Sequence, residues 1–338
     1  MAFCIISSFS AELAIAETSY QAPFWLSGGD LQTIVPAVFG HTAKIQYERV
    51  RWELEDGDFI DTDWVNRDAS NQPTVVLFHG LEGNSASHYA KALMAKVQEI
   101  GWRGVVIHFR GCSGEENRLP RAYFAGDSAE IEMMLTRVRM ENVESKIYVV
   151  GVSLGANALL KWLGERAEQA AGLVEKAVAV SSPLDLAACA TALDHGLDRW
   201  LYTPMFVSSM KSKALQKVKR FPGLLDEEKV RAAKTIHEID REVTAKLHGY
   251  ADEEIYYAEN SSKPWLRQIT VPTLMLNAKN DPFVPAEILP TSDEVSSSVT
   301  LETPEDGGHV GFLQAGEGLR LDWLPTHILQ FFVNCSQI

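Results

Sequence analysis

Short runs that are apolar at nearly every position recur through the middle of this chain, at Thr74–Phe78, Gly104–Phe109, Lys146–Val152 and Lys176–Ser181, each parted from the next by a longer amphipathic stretch. A strand with one face in water alternates apolar and polar residues, whereas a strand covered on both faces has no polar side to present. Covered strands alternating with helices predict an α/β fold with a mostly parallel central sheet and helices on both of its faces. Sheets of that kind bind ligands beyond the carboxyl ends of their strands, so the loops after each apolar run are where chemistry is expected.

The flanking segments complete the plan. Gln46 to Val65 alternates around a turn at Glu55-Asp56-Gly57-Asp58 and reads as an antiparallel hairpin. After Ser182-Pro183 the rhythm changes to helical spacing with no buried strand. Strand signals return at Thr270–Asn277 and Ser296–Glu302, and an amphipathic helix follows from Gly318 to Val333. The predicted organisation is an N-terminal extension over 1–22, a core over 23–183 and 269–338, and a helical cap over 184–268 inserted in that core. No internal repeat or long linker divides the chain.

Composition narrows the function classes. With 31 basic and 45 acidic residues the net charge is −14, against the clustered basic face that a nucleic-acid or anionic-membrane binder needs. No apolar run reaches the roughly 18 residues of a membrane-spanning helix. Cys4, Cys112, Cys189 and Cys335 are scattered, which points to no disulfide framework or zinc knuckle and fits a reducing cytoplasm. The segment Met1–Ala16 ends in Ala14-Ile15-Ala16, the spacing of a secretory cleavage site. Yet it has no basic start, the first Lys or Arg being Lys44, and Glu12 interrupts it, so a short extension packed on the domain is the simpler reading.

The sharpest local signal is Gly151-Val152-Ser153-Leu154-Gly155, placed where an apolar run ends and a helical segment begins. This is the G-x-S-x-G elbow in its strand–turn–helix setting, with glycines where a tight turn leaves no room for side chains. A serine hydroxyl attacks only when a base takes its proton, and the base needs an acid to hold its tautomer, in the chain order Ser, acid, His. His309 stands in the glycine-rich loop Asp306-Gly307-Gly308-His309 after the last strand, while His327 sits within the terminal helix. Asp281 follows the buried run Thr273–Asn277, with Asp293 and Asp322 as weaker rivals. Two backbone N–H donors are expected for an oxyanion, those of Leu154 and Leu81, the second from His79-Gly80-Leu81-Glu82-Gly83. His79 comes too early for the base and reads as a residue that shapes its loop.

These motifs, with Phe109-Arg110-Gly111-Cys112-Ser113-Gly114, Leu276-Asn277-Ala278-Lys279-Asn280-Asp281-Pro282-Phe283 and the opening Pro23-Phe24-Trp25 and Leu31-Gln32-Thr33, resemble the YheT-like branch of the α/β-hydrolase superfamily. The resemblance runs over nearly the whole chain. It implies an α/β-hydrolase fold, carboxylesterase or acylglycerol-lipase chemistry, and Ser153, Asp281 and His309 as the charge-relay set. Some eukaryotic relatives are described as medium-chain ester synthases. His108 departs from the small polar residue more usual before Phe109.

No phosphate-binding glycine loop and no metal-ligand spacing is present, so no cofactor and no metal are expected. The lysines and arginine of Lys211–Arg220 read as a solvated helix face, with a weak lipid-surface contact as the other reading. Trp200, Leu201, Tyr202, Met205, Phe206 and Met210 either pack the cap or line an acyl site. The expectation is a serine esterase acting on small-molecule esters of short- to medium-chain acids, a monomer or small homo-oligomer. An acyltransferase using the same residues, or a binding member of the fold without turnover, are the alternatives.

Overall fold

The computed structural model describes residues 20–40, 44–314 and 319–334. The Ala14-Ile15-Ala16 site, Cys4, Cys335 and the Gly318 start of the last helix lie outside them, as does most of the 1–22 extension.

Eight strands form one sheet in the order β1-β2-β4-β3-β5-β6-β7-β8. The hairpin of β1 (Glu48–Glu53) and β2 (Phe59–Val65) is antiparallel, and β2 pairs antiparallel with β4 (Arg103–Ile107). The rest is parallel: β3 (Thr74–Phe78) lies between β4 and β5 (Ile147–Val152), followed by β6 (Lys176–Val180), β7 (Thr273–Leu276) and β8 (Val299–Glu302). Every residue of β3, β4, β5 and β7 is buried, as strands covered on both faces require, including Thr74, Arg103 and Thr273 at the strand starts. The apolar runs overshoot two strand ends, because His108, Phe109 and Ser181 are buried in the loops that follow.

The hairpin differs from a strand with one wet face. All of β2 is buried, including Asp61 and Asp63. Arg51 and Arg49 lie directly opposite them on β1 and bind each carboxylate through two nitrogens at 2.8 to 2.9 Å, so the charges are covered by cross-strand pairs.

Helices α1 (Gly29–Phe39), α2 (His88–Glu99), α3 (Ser128–Glu141) and α4 (Leu154–Arg166) precede β6. Between β6 and β7 the chain forms α5 (Leu186–Asp194), α6 (Asp198–Leu201), α7 (Thr203–Arg220), α8 (Glu227–Ala232), α9 (Ile236–Ile239), α10 (Ala245–His248) and α11 (Glu253–Asn260), with a π-helical turn at Asp240–Thr244. These inserted helices share an apolar cluster of their own that includes Leu193, Val207, Ile239 and Tyr257 and reaches Leu154, Phe283 and Val284 of the core. The last helix is α12 (Trp323–Val333). On one face of the sheet Ile131, Leu135, Leu159 and Trp162 of α3 and α4 pack on the strands, and on the other Met94, Val97, Ile328 and Phe332 of α2 and α12 do so. The amphipathic spacing seen in the sequence is the imprint of these two interfaces.

Candidate active site

Strand β5 stops at Val152 and α4 starts at Leu154, so Ser153 makes the turn by itself at φ 53°, ψ −122°. Such a backbone is strained for a residue with a side chain and persists only when its surroundings hold it. Here the Ser153 N–H donates to Val180 O on β6 at 2.9 Å, and its carbonyl accepts from the Ala156 and Asn157 amides at 2.8 and 3.1 Å. A Cβ on Gly151 would come 2.6 Å from Ala156 Cα, and one on Gly155 would come 2.5 Å from Phe78 O. The turn therefore closes only with glycine at both places.

The loop after β8 brings His309 to this serine. His309 Nε2 lies 3.0 Å from Ser153 Oγ, and Nδ1 lies 2.9 and 3.1 Å from the two oxygens of Asp281. An Nδ1–H donated to the carboxylate leaves the Nε2 lone pair aimed at the hydroxyl, the tautomer a base requires. The Asp281 side chain is wholly buried and its Oδ1 accepts the Phe283 and Val284 amides at 2.8 and 3.3 Å. The rivals are elsewhere: Asp293 binds Thr291 in an exposed turn, Asp322 pairs with Arg320, and His327 bonds Glu302.

Two residues without an assigned role in the sequence reading hold this loop. Gln32 of α1, 1% exposed, accepts from the Gly307 N–H at 2.7 Å and from Asn280 Nδ2 at 2.9 Å, tying the His309 and Asp281 loops to one side chain. Thr33 Oγ1 accepts the His309 N–H at 2.8 Å. Thr33→Val, which keeps the shape and removes that acceptor, is expected to lower kcat about tenfold through a displaced imidazole, with an unchanged circular dichroism spectrum. Steady-state kinetics checks it.

Leu81 and Leu154 line the same cavity as Ser153, and among the described residues neither amide is bonded to a protein acceptor. On either side of Leu81 the donors are taken: the Gly80 N–H donates to Tyr89 Oη and the Glu82 N–H to Tyr123 Oη, each at 2.9 Å. Burial raises both phenol pKa values, so the hydroxyls keep their protons. His79 shapes this loop, its Nε2 accepting the Phe109 N–H at 3.1 Å and its Nδ1–H donating to Gly80 O at 2.8 Å. Burial pushes its pKa down to about 3, which leaves it neutral and committed to those two bonds.

Above Ser153 and His309 opens a cavity of about 490 Å³, lined on its apolar side by Leu186, Leu193, Phe206, Met210, Val243 and Val284. The apolar stretch on α6 and α7 thus divides. Phe206 and Met210 line the cavity and Tyr202 is buried, whereas Trp200, Leu201 and Met205 are exposed.

Residues 73–315 match the family model described as the alpha/beta hydrolase fold. The chain belongs to the α/β-hydrolase family. Within it the chain falls in the YheT-like branch, being 37% identical over 310 residues to YheT of Escherichia coli (strain K12), whose name carries the word esterase, across 88% of this chain and 90% of that protein. Phospholipase ABHD3 of Homo sapiens is 28% identical over 308 residues, 89% of this chain and 75% of its own. Among solved structures, the Pyrococcus furiosus esterase Pf2001 superposes with a TM-score of 0.54 at 17% identity, covering 87% of this chain and 96% of that one, a likeness of fold.

In this α/β hydrolase the basic residues of α7 are only in part the solvated face that their spacing predicts. Lys217 Nζ donates to Leu119 O and Arg121 O at 3.2 Å, Lys211 to Arg231 O at 2.9 Å, and Arg220 to Asn117 O at 2.7 Å, while Lys213 pairs with Glu82 at 2.8 Å; Lys219 and Arg220 stay exposed. Burial lowers the Lys217 pKa. The loop around 110–124 folds against α7 and presents its carbonyls to Lys217 and Arg220, a contact the helical pattern of α7 does not encode. His108, the departure before Phe109, is buried, bonds Asp63 Oδ2 at 2.9 Å and packs its ring 6.1 Å from that of His79. Among the described residues no helix is long and apolar enough to cross a membrane, and no cluster of three or more His, Cys, Asp or Glu is arranged for a metal ion.

Proposed function

We propose that this protein is a carboxylic ester hydrolase that works through an acyl-serine intermediate on esters of short- to medium-chain acids. The observation that carries the proposal is the unbroken hydrogen-bond chain from Ser153 Oγ through His309 to Asp281 at the floor of an apolar cavity. In this reading His309 takes the Ser153 proton as the oxygen attacks the ester carbonyl, and returns it to the leaving alcohol. Asp281 holds the imidazole and offsets the charge it gains. The Leu81 and Leu154 amides, unbonded beforehand, receive the oxyanion. Water then repeats the cycle on the acyl-serine. The helices over 184–268 act as a cap whose underside receives the acyl chain, and a cavity of this size lies within the range of about 300 to 1,000 Å³ typical of ligand sites. The names of relatives that carry esterase and phospholipase support the ester bond as target.

A panel of p-nitrophenyl esters of rising acyl length, run with and without a competing medium-chain alcohol, tests this. Hydrolysis is expected, with free acid the main product: water at about 55 M outcompetes millimolar alcohol unless positioning supplies a larger effective molarity. Predominance of transferred ester would make the protein an acyltransferase instead, and no turnover of any ester would overturn the reading.

A further inference from the structure

Glu82 follows Leu81 in the loop after β3, and the reaction just described makes no use of its carboxylate. Its backbone is at φ 57°, a strained position that its contacts must hold. One phenol grips it at both ends: Tyr123 Oη accepts the Glu82 N–H at 2.9 Å and donates to Oε1 at 2.8 Å. The remaining capacity of the carboxylate is met from the inserted helices. Ser209 Oγ donates to Oε2, and Lys213 Nζ lies 2.9 Å from Oε1 and 2.8 Å from Oε2.

The Glu82 side chain is only 10% exposed. A carboxylate buried to that degree is costly unless its lone pairs are met, and here one donor belongs to the core and two to α7. The loop that carries the Leu81 amide is therefore fully satisfied only with α7 seated on it. Phe206, Ser209, Met210 and Lys213 are spaced i, i+3, i+4 and i+7, a single stripe along α7. All four members of the stripe line the cavity, as Glu82 does; Phe206 and Met210 offer it apolar side chains, while Ser209 and Lys213 also hold Glu82.

We propose that Glu82 is a positioning residue that couples filling of the acyl cavity to placement of the Leu81 N–H. The inference rests on the ester-hydrolase reading above. A chain packed on Phe206 and Met210 fixes the rotation and depth of α7; Ser209 and Lys213 pass that setting to Glu82; and the neighbouring amide is aimed at the developing oxyanion. Binding energy from the remote part of the substrate then appears in kcat as well as in KM.

The test compares kcat and KM for p-nitrophenyl acetate, butyrate and octanoate in the wild type, Glu82→Gln and Ser209→Ala. Wild-type kcat is expected to rise with chain length. In Glu82→Gln the octanoate kcat should fall about tenfold, less than the loss of an oxyanion donor outright, while KM moves less than about threefold. The rise with chain length should flatten, and acetate, the shortest acyl chain, should change least. Ser209→Ala, which removes one hydroxyl, should shift the same quantities in the same direction by less, and decides alone if Glu82→Gln does not fold. A wild-type chain-length dependence of kcat in the folded variants, or a change confined to KM, would overturn the coupling. Fluorophosphonate labelling of the wild type separates the two ideas: a labelled, active enzyme with unaltered variants sinks the coupling by itself, whereas a wild type that neither labels nor hydrolyses any ester sinks the ester reading with it.

Discussion

Ser153→Ala is expected to remove ester turnover, lowering kcat by about 10⁴- to 10⁶-fold, and to abolish fluorophosphonate labelling. The loss would be chemical and not structural. The Ser153 backbone bonds to Val180, Ala156 and Asn157 involve N–H and C=O groups that alanine retains, and among the described residues the Oγ bonds only His309. The strained φ of 53° is borne by alanine much as by serine. A thermal melt within a degree or two of wild type, measured beside the labelling, separates the two causes. Labelling that persists on another serine of the variant would remove Ser153 from the mechanism.

Asp281→Asn is expected to lower kcat by about 10⁴-fold with a much smaller effect on KM, because it reverses a proton and not a shape. Oδ1 of Asp281 accepts the Phe283 and Val284 amides, so the asparagine oxygen would remain there. Its NH₂ would then face His309 Nδ1, which could bond it only as an acceptor. The imidazole proton would move to Nε2, the nitrogen 3.0 Å from Ser153 Oγ, and the ring could no longer take the serine's proton. Activity within tenfold of wild type would show that the carboxylate is dispensable. A loss matched by a collapsed circular dichroism spectrum would instead make Asp281 a folding residue.

The degree to which this molecule could be read in advance follows the range of the interactions. The buried strands and the elbow are local: a strand covered on both faces must be apolar along its own length, and a turn too tight for Cβ atoms must carry glycine two residues either side of its serine. The chain order Ser, Asp, His could be read because each of these residues follows the end of its own strand. The remaining errors lie where one segment's environment is made by another. The aspartates of β2 are buried because β1 sets arginines opposite them, and Lys217 of α7 turns inward because the loop around 110–124 offers carbonyls.

From the sequence alone came the fold class, the position of the elbow and the residues proposed for the chemistry, since periodicity and steric exclusion act within a few residues. Tertiary structure alone decided what holds them in register. Gln32 reaches the Gly307 amide across 275 residues, Thr33 reaches that of His309 across 276, and Ser209 reaches Glu82 across 127. A glutamine, a threonine or a glutamate carries no local pattern that names its partner. Its hydrogen bond is set by where the backbone of a distant loop comes to rest, and that is settled only when the whole core has packed.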